Sequence, residues 1–376
     1  MGNITLTLMN IIIFSGHCWS EKRRAGFHHF TKALLDQGHK VLFYTAPVSA
    51  LFHLNRLKKS KHDHRLATLK TYPANQLHQL SSQLSILTHY THLHPFKSIK
   101  PVEAFLDWHY RKQMLNPSTL TFIQSADIAI FESCYALHFY QQVQELNPTI
   151  KFVYRVSDDL QTLPASQRLI DLEQAFIKQA HLISSPSSYL AQKFPLPSTQ
   201  LCLHGINKTL FQIPYPNPYQ HALNIVFVGV SHIDLTFIEL THHAFPNVQF
   251  HLIGPIKPTI QAHNVTFYGE LPFEQTIPYI IHANVGLQMI KYCTGAESFT
   301  DSLKILQYTY CGLAIVAPDF LKTSRINTFY YQPNQSQSMI EALQAALEFD
   351  QKKHHAELQA SIHDWDTVAR SLLQTT

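Results

Sequence analysis

Two stretches hold residue types that can do chemistry. The first is Ser298 to Pro318, SFTDSLKILQYTYCGLAIVAP. Ser298, Thr300 and Asp301 offer hydroxyl or carboxylate caps, Leu303, Leu306 and Tyr310 recur at helical spacing, and Gly312 suits the left-handed turn that ends a helix. Leu313 to Ala317 then reads as a buried strand stopped by Pro318. A helix N-terminus presents unpaired N–H groups and partial positive charge, so this design suits a diphosphate, with Lys304 adding a full charge. Any α/β domain also contains capped helices followed by strands, so context must decide.

The second stretch is Arg155 to Asp159, RVSDD, placed directly after the strand pattern Ile150 to Tyr154. Asp158 there can take a proton, with Arg155 beside it to keep it ionised. Ser157-Asp158-Asp159 can equally form an Asx turn or a helix cap. In the first loop, His17, Arg23 and Arg24 are candidate contacts for an acceptor diphosphate or a carboxylate, as is Arg155.

The elements around these stretches alternate. Ile11 to Phe14 is an apolar run ending in Ser15-Gly16-His17, followed by a helix over Phe27 to Leu35 and a strand over Lys40 to Thr45, a βαβ opening. It lacks the glycine-rich dinucleotide fingerprint, which excludes a bound NAD there. Strands at Ile128 to Phe131, Ile150 to Tyr154, Leu182 to Ser184 and Gln200 to Leu203 alternate with helices at Tyr135 to Glu145, Leu169 to Gln179 and Ser188 to Lys193. QIPYPNPYQHA, residues 212 to 222, has three prolines and no apolar period, and reads as a linker. Strands resume at Asn224 to Gly229, Val248 to Gly254, Val265 to Tyr268 and Asn284 to Leu287, and the chain closes in helices. The expected organisation is an N-terminal domain over 1–211, a linker over 212–223, a second α/β domain over 224–350, and a C-terminal helix over 351–376 that packs back on the first domain.

With 376 residues the chain exceeds one core, and a formal charge of +4 is too mild for nucleic acid. Five cysteines without close pairing favour reduced thiols and a cytoplasmic setting. The pairs His28-His29, His242-His243 and His354-His355 lack flanking ligands at metal spacing, so no metal is expected. No apolar run reaches the roughly 18 to 20 residues of a membrane span, so a soluble or peripheral protein is expected. Residues 51–67, LFHLNRLKKSKHDHRLA, form a basic amphipathic stretch that suits an anionic membrane surface, or else only a solvated helix and loop. The aromatic segment Leu93 to Tyr110 reads as partly exposed and would help such a stretch settle into a bilayer interface.

Arg23-Arg24 in the first loop, HPF at His94 to Phe96 followed by PVEAF, FES at Phe131 to Ser133, VYRVSD at Val153 to Asp158, YGE at Tyr268 to Glu270 with QTI at Gln275 to Ile277, and LKILQY at Leu303 to Tyr308 form an ordered set. In this order and spacing the chain resembles the family 70 glycosyltransferases, membrane-associated glucuronosyltransferases of GT-B architecture. The resemblance implies two Rossmann-like α/β domains facing a cleft, with C-terminal helices. It further implies inverting transfer of a glucuronosyl unit from UDP-glucuronate to a polyprenyl-diphosphate-linked oligosaccharide in bacterial exopolysaccharide or capsule assembly. That reaction would need no metal or other cofactor and would run at the cytoplasmic face of the inner membrane. By position, Asp158 matches the general base, and Glu270, Leu303, Lys304, Ile305 and Gln307 match donor-site residues. Three places depart from the pattern: Val230-Ser231 where a methionine is expected, Ile290 where a tyrosine is expected with Tyr292 near enough to substitute, and Asp159 in place of glycine. These put the donor sugar, more than the reaction, in question. A UDP-sugar epimerase and a catalytically silent scaffold are the alternative readings.

Overall fold

Unbroken runs of branched and aromatic side chains form strands that are covered on both faces. Ile11, Ile12, Ile13 and Phe14 are each 0% exposed, and so are Ile225, Val226 and Phe227. The computed structural model describes residues 7–21, 24–51, 69–163, 165–230 and 232–376. Arg23 and all of the basic stretch 51–67 beyond Leu51 lie outside the described residues. By contacts the chain divides into two units, Met1–Leu203 together with Asp366–Thr376, and His204–Trp365.

In the first unit the strands are β1 (Asn10–Ser15), β2 (Lys40–Ser49), β3 (His78–Gln79), β4 (Leu84–Thr91), β5 (Ile128–Glu132), β6 (Lys151–Arg155), β7 (Leu182–Ser185) and β8 (Thr199–Leu201). They lie in the order β3-β4-β2-β1-β5-β6-β7-β8, all parallel except β3. Helix α1 (Gly26–Asp36) joins β1 to β2, α2 (Lys100–Arg111) precedes β5, and α3 (Gln167–Phe176) starts at the Ser166 cap after β6. The core is aromatic, with the Phe14 and Phe131 rings stacked at 4.4 Å. The sequence pattern did not reveal β4, because Thr88 and His89 interrupt its apolar run; both are buried, and the Tyr44 hydroxyl partners His89.

The second unit holds β9 (Asn224–Val228), β10 (Gln249–Ile253), β11 (Val265–Gly269), β12 (Val285–Leu287), β13 (Ala314–Pro318) and β14 (Thr328–Tyr331) in the order β11-β10-β9-β12-β13-β14, every pair parallel. Helix α4 (Leu303–Tyr310) runs between β12 and β13 and ends at Gly312, whose φ of +75° is the expected left-handed turn. In both sheets the order reverses beside the first strand, between β1 and β5 and between β9 and β12. In open α/β sheets, ligands bind outside the carboxyl ends of strands at such a switch point.

Residues 204–211 group with the second unit, ahead of the proline-rich segment. The Phe211 ring meets Tyr310 at 6.0 Å, and Ile206 pairs with Asp364 in a parallel bridge. The C-terminal segment divides: Gln351–Ser361 stays with the second unit, whereas Asp366–Thr376 joins the first.

Tyr308 on α4 fixes that helix to the sheet, its hydroxyl accepting the Val228 N–H at 3.0 Å. A Cβ at Gly286 would lie 2.3 Å from the Tyr308 ring. Gly286→Ala is therefore expected to destabilise the second unit by about 1–3 kcal/mol, and urea denaturation measures it; wild-type stability would show that the helix shifts freely.

Candidate functional site

At the switch point of the first sheet, β1 ends in Ser15 and β5 in Glu132. Glu132 is buried and accepts hydrogen bonds from Ser15 Oγ at 2.5 Å, Gly16 N at 2.9 Å and Ser157 Oγ at 2.9 Å. His17 Nε2 stands 3.5 Å from Glu132 Oε1, while its Nδ1 is 2.7 Å from Glu21 Oε1. Behind them the Tyr154 hydroxyl donates to Ser133 Oγ at 2.9 Å and contacts Glu173, and Ser133 Oγ accepts the Ser157 N–H at 3.1 Å. Burial pushes the Glu173 carboxyl up to about 7.

The two acidic residues of the SDD turn have different surroundings. Asp159 is buried, ion-paired with Lys193, and accepts the Gln161 N–H at 3.1 Å. Asp158 is half-buried and has neither a hydrogen bond nor an ion pair among the described residues. The turn-forming role therefore falls to Asp159, and Asp158 is left with its oxygens free. Burial, then the charge of Glu132, raises its pKa above the ordinary carboxylate value; His17 opposes this and Asp159 adds to it.

Arg155 does not hold Asp158 ionised, contrary to the sequence-based expectation. It is 2% exposed, donates from Nη1 to Ser184 Oγ at 2.7 Å, and lies over the Phe30 ring at 5.5 Å. Its side chain is buried together with those of Tyr154 and Val156 on either side, so it belongs to the core rather than to an exposed acceptor contact. Arg24 is exposed but folds back on its own loop, donating from Nη1 to the Trp19 carbonyl at 2.7 Å.

In the second unit the caps expected at Ser298, Thr300 and Asp301 are engaged elsewhere. Ser298 Oγ donates to the Gly295 carbonyl at 2.7 Å, Thr300 Oγ1 to the Glu297 carbonyl at 2.6 Å, and Asp301 is ion-paired with Arg325. Ser302 is the residue before α4, in extended conformation, and its buried hydroxyl has no partner among the described residues. The Ile305 and Leu306 N–H groups bond to the Ser302 carbonyl at 2.9 and 3.3 Å, which leaves those of Leu303 and Lys304 without an acceptor among the described residues. Beside them Lys304 has no hydrogen bond or ion pair among the described residues; its Nζ lies 4.6 Å from the centre of the Phe227 ring. Burial lowers its pKa to about 8.

Gly229 brings backbone close to this ammonium, and Gly254 packs against Gly229. A Cβ on Gly229 would lie 3.1 Å from Lys304 Nζ, and one on Gly254 only 1.9 Å from the Gly229 carbonyl oxygen. A bare backbone, a lysine with no acidic partner among the described residues and a helix N-terminus are together an arrangement of the kind that suits an anion.

The other proposed donor residues are spread around it. Glu270 is exposed just after β11, Leu303 is half-buried at the start of α4, and Gln307 is buried on that helix. Ile305 is 2% exposed, so its side chain belongs to the core. Tyr292 is 63% exposed, with its ring 5.2 Å from Phe320. Sequence reasoning missed Arg325 and assigned no role to Glu132, because their partners are distant in the chain. Among the described residues no group of three or more His, Cys, Asp or Glu is placed to hold a metal ion.

The profile of the N-terminal domain of glucuronosyltransferase GumK matches residues 13–186. The UDP-glucuronate:glycolipid 2-beta-glucuronosyltransferase of Xanthomonas campestris pv. campestris is 30% identical over 352 residues, covering 90% of this chain and 84% of that protein. Among solved structures, a glycosyltransferase from Rickettsia africae superposes with a TM-score of 0.64 at 11% identity, over 98% of each chain. HepE from Anabaena, solved with UDP and glucose, gives 0.61 at 14% identity, over 98% of this chain and 99% of its own. These structural likenesses establish the fold, which is GT-B.

The unpaired lysine has a consequence for stability. Its folded pKa of about 8 lies below the roughly 10.4 of an unfolded lysine. The unfolded state therefore binds more protons between those values, and stability rises with pH across that window. Lys304→Met is expected to melt higher than wild type at pH 7, with the difference shrinking as pH climbs towards that of a free lysine. Calorimetric melting at several pH values checks it, and equal melting at pH 7 would contradict the buried charge.

Proposed function

The chain belongs to the GumK glucuronosyltransferase family, and on that premise we propose that it performs an inverting, metal-independent transfer of a glucuronosyl unit from UDP-glucuronate to a lipid-diphosphate-linked oligosaccharide. The observation that carries the reading is the Asp158 carboxylate, unpartnered among the described residues, on the turn after β6 beside the switch point of the first sheet. It takes the proton of the acceptor hydroxyl as that oxygen bonds to the anomeric carbon. The bond from that carbon to the diphosphate oxygen breaks on the opposite side, and UDP leaves with the electron pair. The Lys304 ammonium and the N–H groups of Leu303 and Lys304 at the start of α4 meet the charge that gathers on the diphosphate. Glu270 and Gln307 are the polar groups for the donor sugar, with Tyr292 in place of the tyrosine missing at Ile290.

The same reading places the protein at an anionic membrane surface on the cytoplasmic side, as part of bacterial exopolysaccharide or capsule assembly. No helix among the described residues is long and apolar enough to cross a membrane. Support for a peripheral contact comes from α2, whose buried face is Leu106, Asp107 and Tyr110. Its outward residues are apolar where polar ones are expected: Val102 is 40%, Phe105 54% and Trp108 48% exposed. Phe96 to Lys112 carries Lys97, Lys100, Arg111 and Lys112 against Glu103 and Asp107. A shallow cavity of about 280 Å³ beside Trp108 is lined by Ala104, Asp107, Arg111 and Arg168. Aromatic rings flanked by cations suit a bilayer interface.

Two experiments test these statements. Asp158→Asn is expected to abolish transfer while calorimetry still records UDP binding, with UDP-glucuronate preferred over UDP-glucose and no metal added. Retained turnover would remove Asp158 as the base, and equal binding of the two sugars would reopen the donor. For the membrane, flotation with vesicles of phosphatidylcholine and phosphatidylglycerol should show binding that salt weakens. Phe105→Ser with Trp108→Ser should reduce it by about tenfold or more; unchanged flotation would exclude α2 as the contact.

A further inference from the structure

Glu132 is a buried carboxylate to which the proposed reaction gives no task. Three donors converge on it from two loops: Ser15 Oγ–H and Gly16 N–H from the loop after β1, and Ser157 Oγ–H from the turn after β6. The residue next to Ser157 is Asp158. We propose that Glu132 is a positioning residue, which ties the loop after β1 to the turn bearing Asp158 and supplies the negative charge that Asp158 faces. This rests on the reading of Asp158 as the base.

The donor pattern explains why a carboxylate stands here. All three neighbours donate, and a carboxylate is acceptor-only, whereas a glutamine would turn an NH₂ group into the same cluster. Its position explains the charge. Asp158 faces Glu132, His17 and Asp159, and burial adds to the effect of the two acids in raising its proton affinity. The charge of Asp159 is taken up by Lys193, and the imidazole of His17 is held by Glu21 at 2.7 Å. Of the two acids, Glu132 acts on Asp158 more strongly than the Lys193-paired Asp159 does. A base that takes a proton in the transition state gains from a neighbour that favours its protonated form.

The test compares pH profiles of kcat/KM for wild type, Glu132→Gln, Glu132→Asp and Ser157→Ala, with Asp158→Asn as control and UDP binding as the check on folding. Glu132→Gln is expected to move the acid limb to lower pH by on the order of half to one unit, since a like charge next to Asp158 is lost. Its plateau should fall by about tenfold or more, as expected when a general base is mispositioned. Glu132→Asp keeps the charge and should leave the limb near its wild-type position. Ser157→Ala keeps the charge but cuts one tether, so kcat should fall while the limb stays.

A wild-type limb in Glu132→Gln, alongside an inactive Asp158→Asn, would overturn the proposal and leave the base assignment standing. An active Asp158→Asn would instead overturn the base assignment. If Glu132→Gln fails to bind UDP through misfolding, Ser157→Ala decides: wild-type kcat there would overturn the tether.

Discussion

A carboxylate that is 5% exposed must be supplied with hydrogen bonds or it destabilises the fold. Glu132 is supplied from both sides of the switch point, and this joins two loops whose strands lie on either side of β5 in the sheet. The loops after β1 and β6 are thereby held in one arrangement. Asp158 inherits its place from that arrangement, and its free oxygens are the exception in a neighbourhood where Ser15, Ser133, Ser157 and Asp159 are all engaged.

The second unit meets the opposite difficulty. Lys304 is a cation with a ring beneath it and, among the described residues, no acid paired with it. The apolar packing of the second core, built on Phe227, Leu252, Val285 and Val316, must offset what that charge costs. The Asp301–Arg325 ion pair consumes the nearest carboxylate in sequence, so it cannot neutralise the lysine. An anion can do so instead. The two units thus use the same topology to prepare opposite charges.

Much of this was legible in the sequence wherever the controlling interactions are local. The period of α4, its end at Gly312 and the buried strand after it follow from neighbours within a turn. Asp158 was readable as a polar residue following a parallel strand. What failed depended on distance along the chain. Arg155 is adjacent to the site in sequence, yet its guanidinium is bound by Ser184, on another strand. Asp301 looks like a cap until Arg325 is brought to it, and Glu132 looks idle until Ser15 and Ser157 arrive. The strand β4 was hidden because its Thr88 and His89 are polar by type and buried by context.

The division of the C-terminal segment affects synthesis. The first unit is discontinuous: Asp366 is bonded to Gln37 Nε2 at 2.7 Å, Thr376 accepts from Lys151 Nζ at 2.7 Å, and Val368, Ala369 and Leu372 are buried. Domains generally fold in order as they emerge from the ribosome. Here the order is inverted for completion, because the second unit has all of its residues before the first receives its closing helix. During translation the early sheet waits with an apolar surface uncovered, and Asp366–Thr376, made only after the whole second unit, seal it.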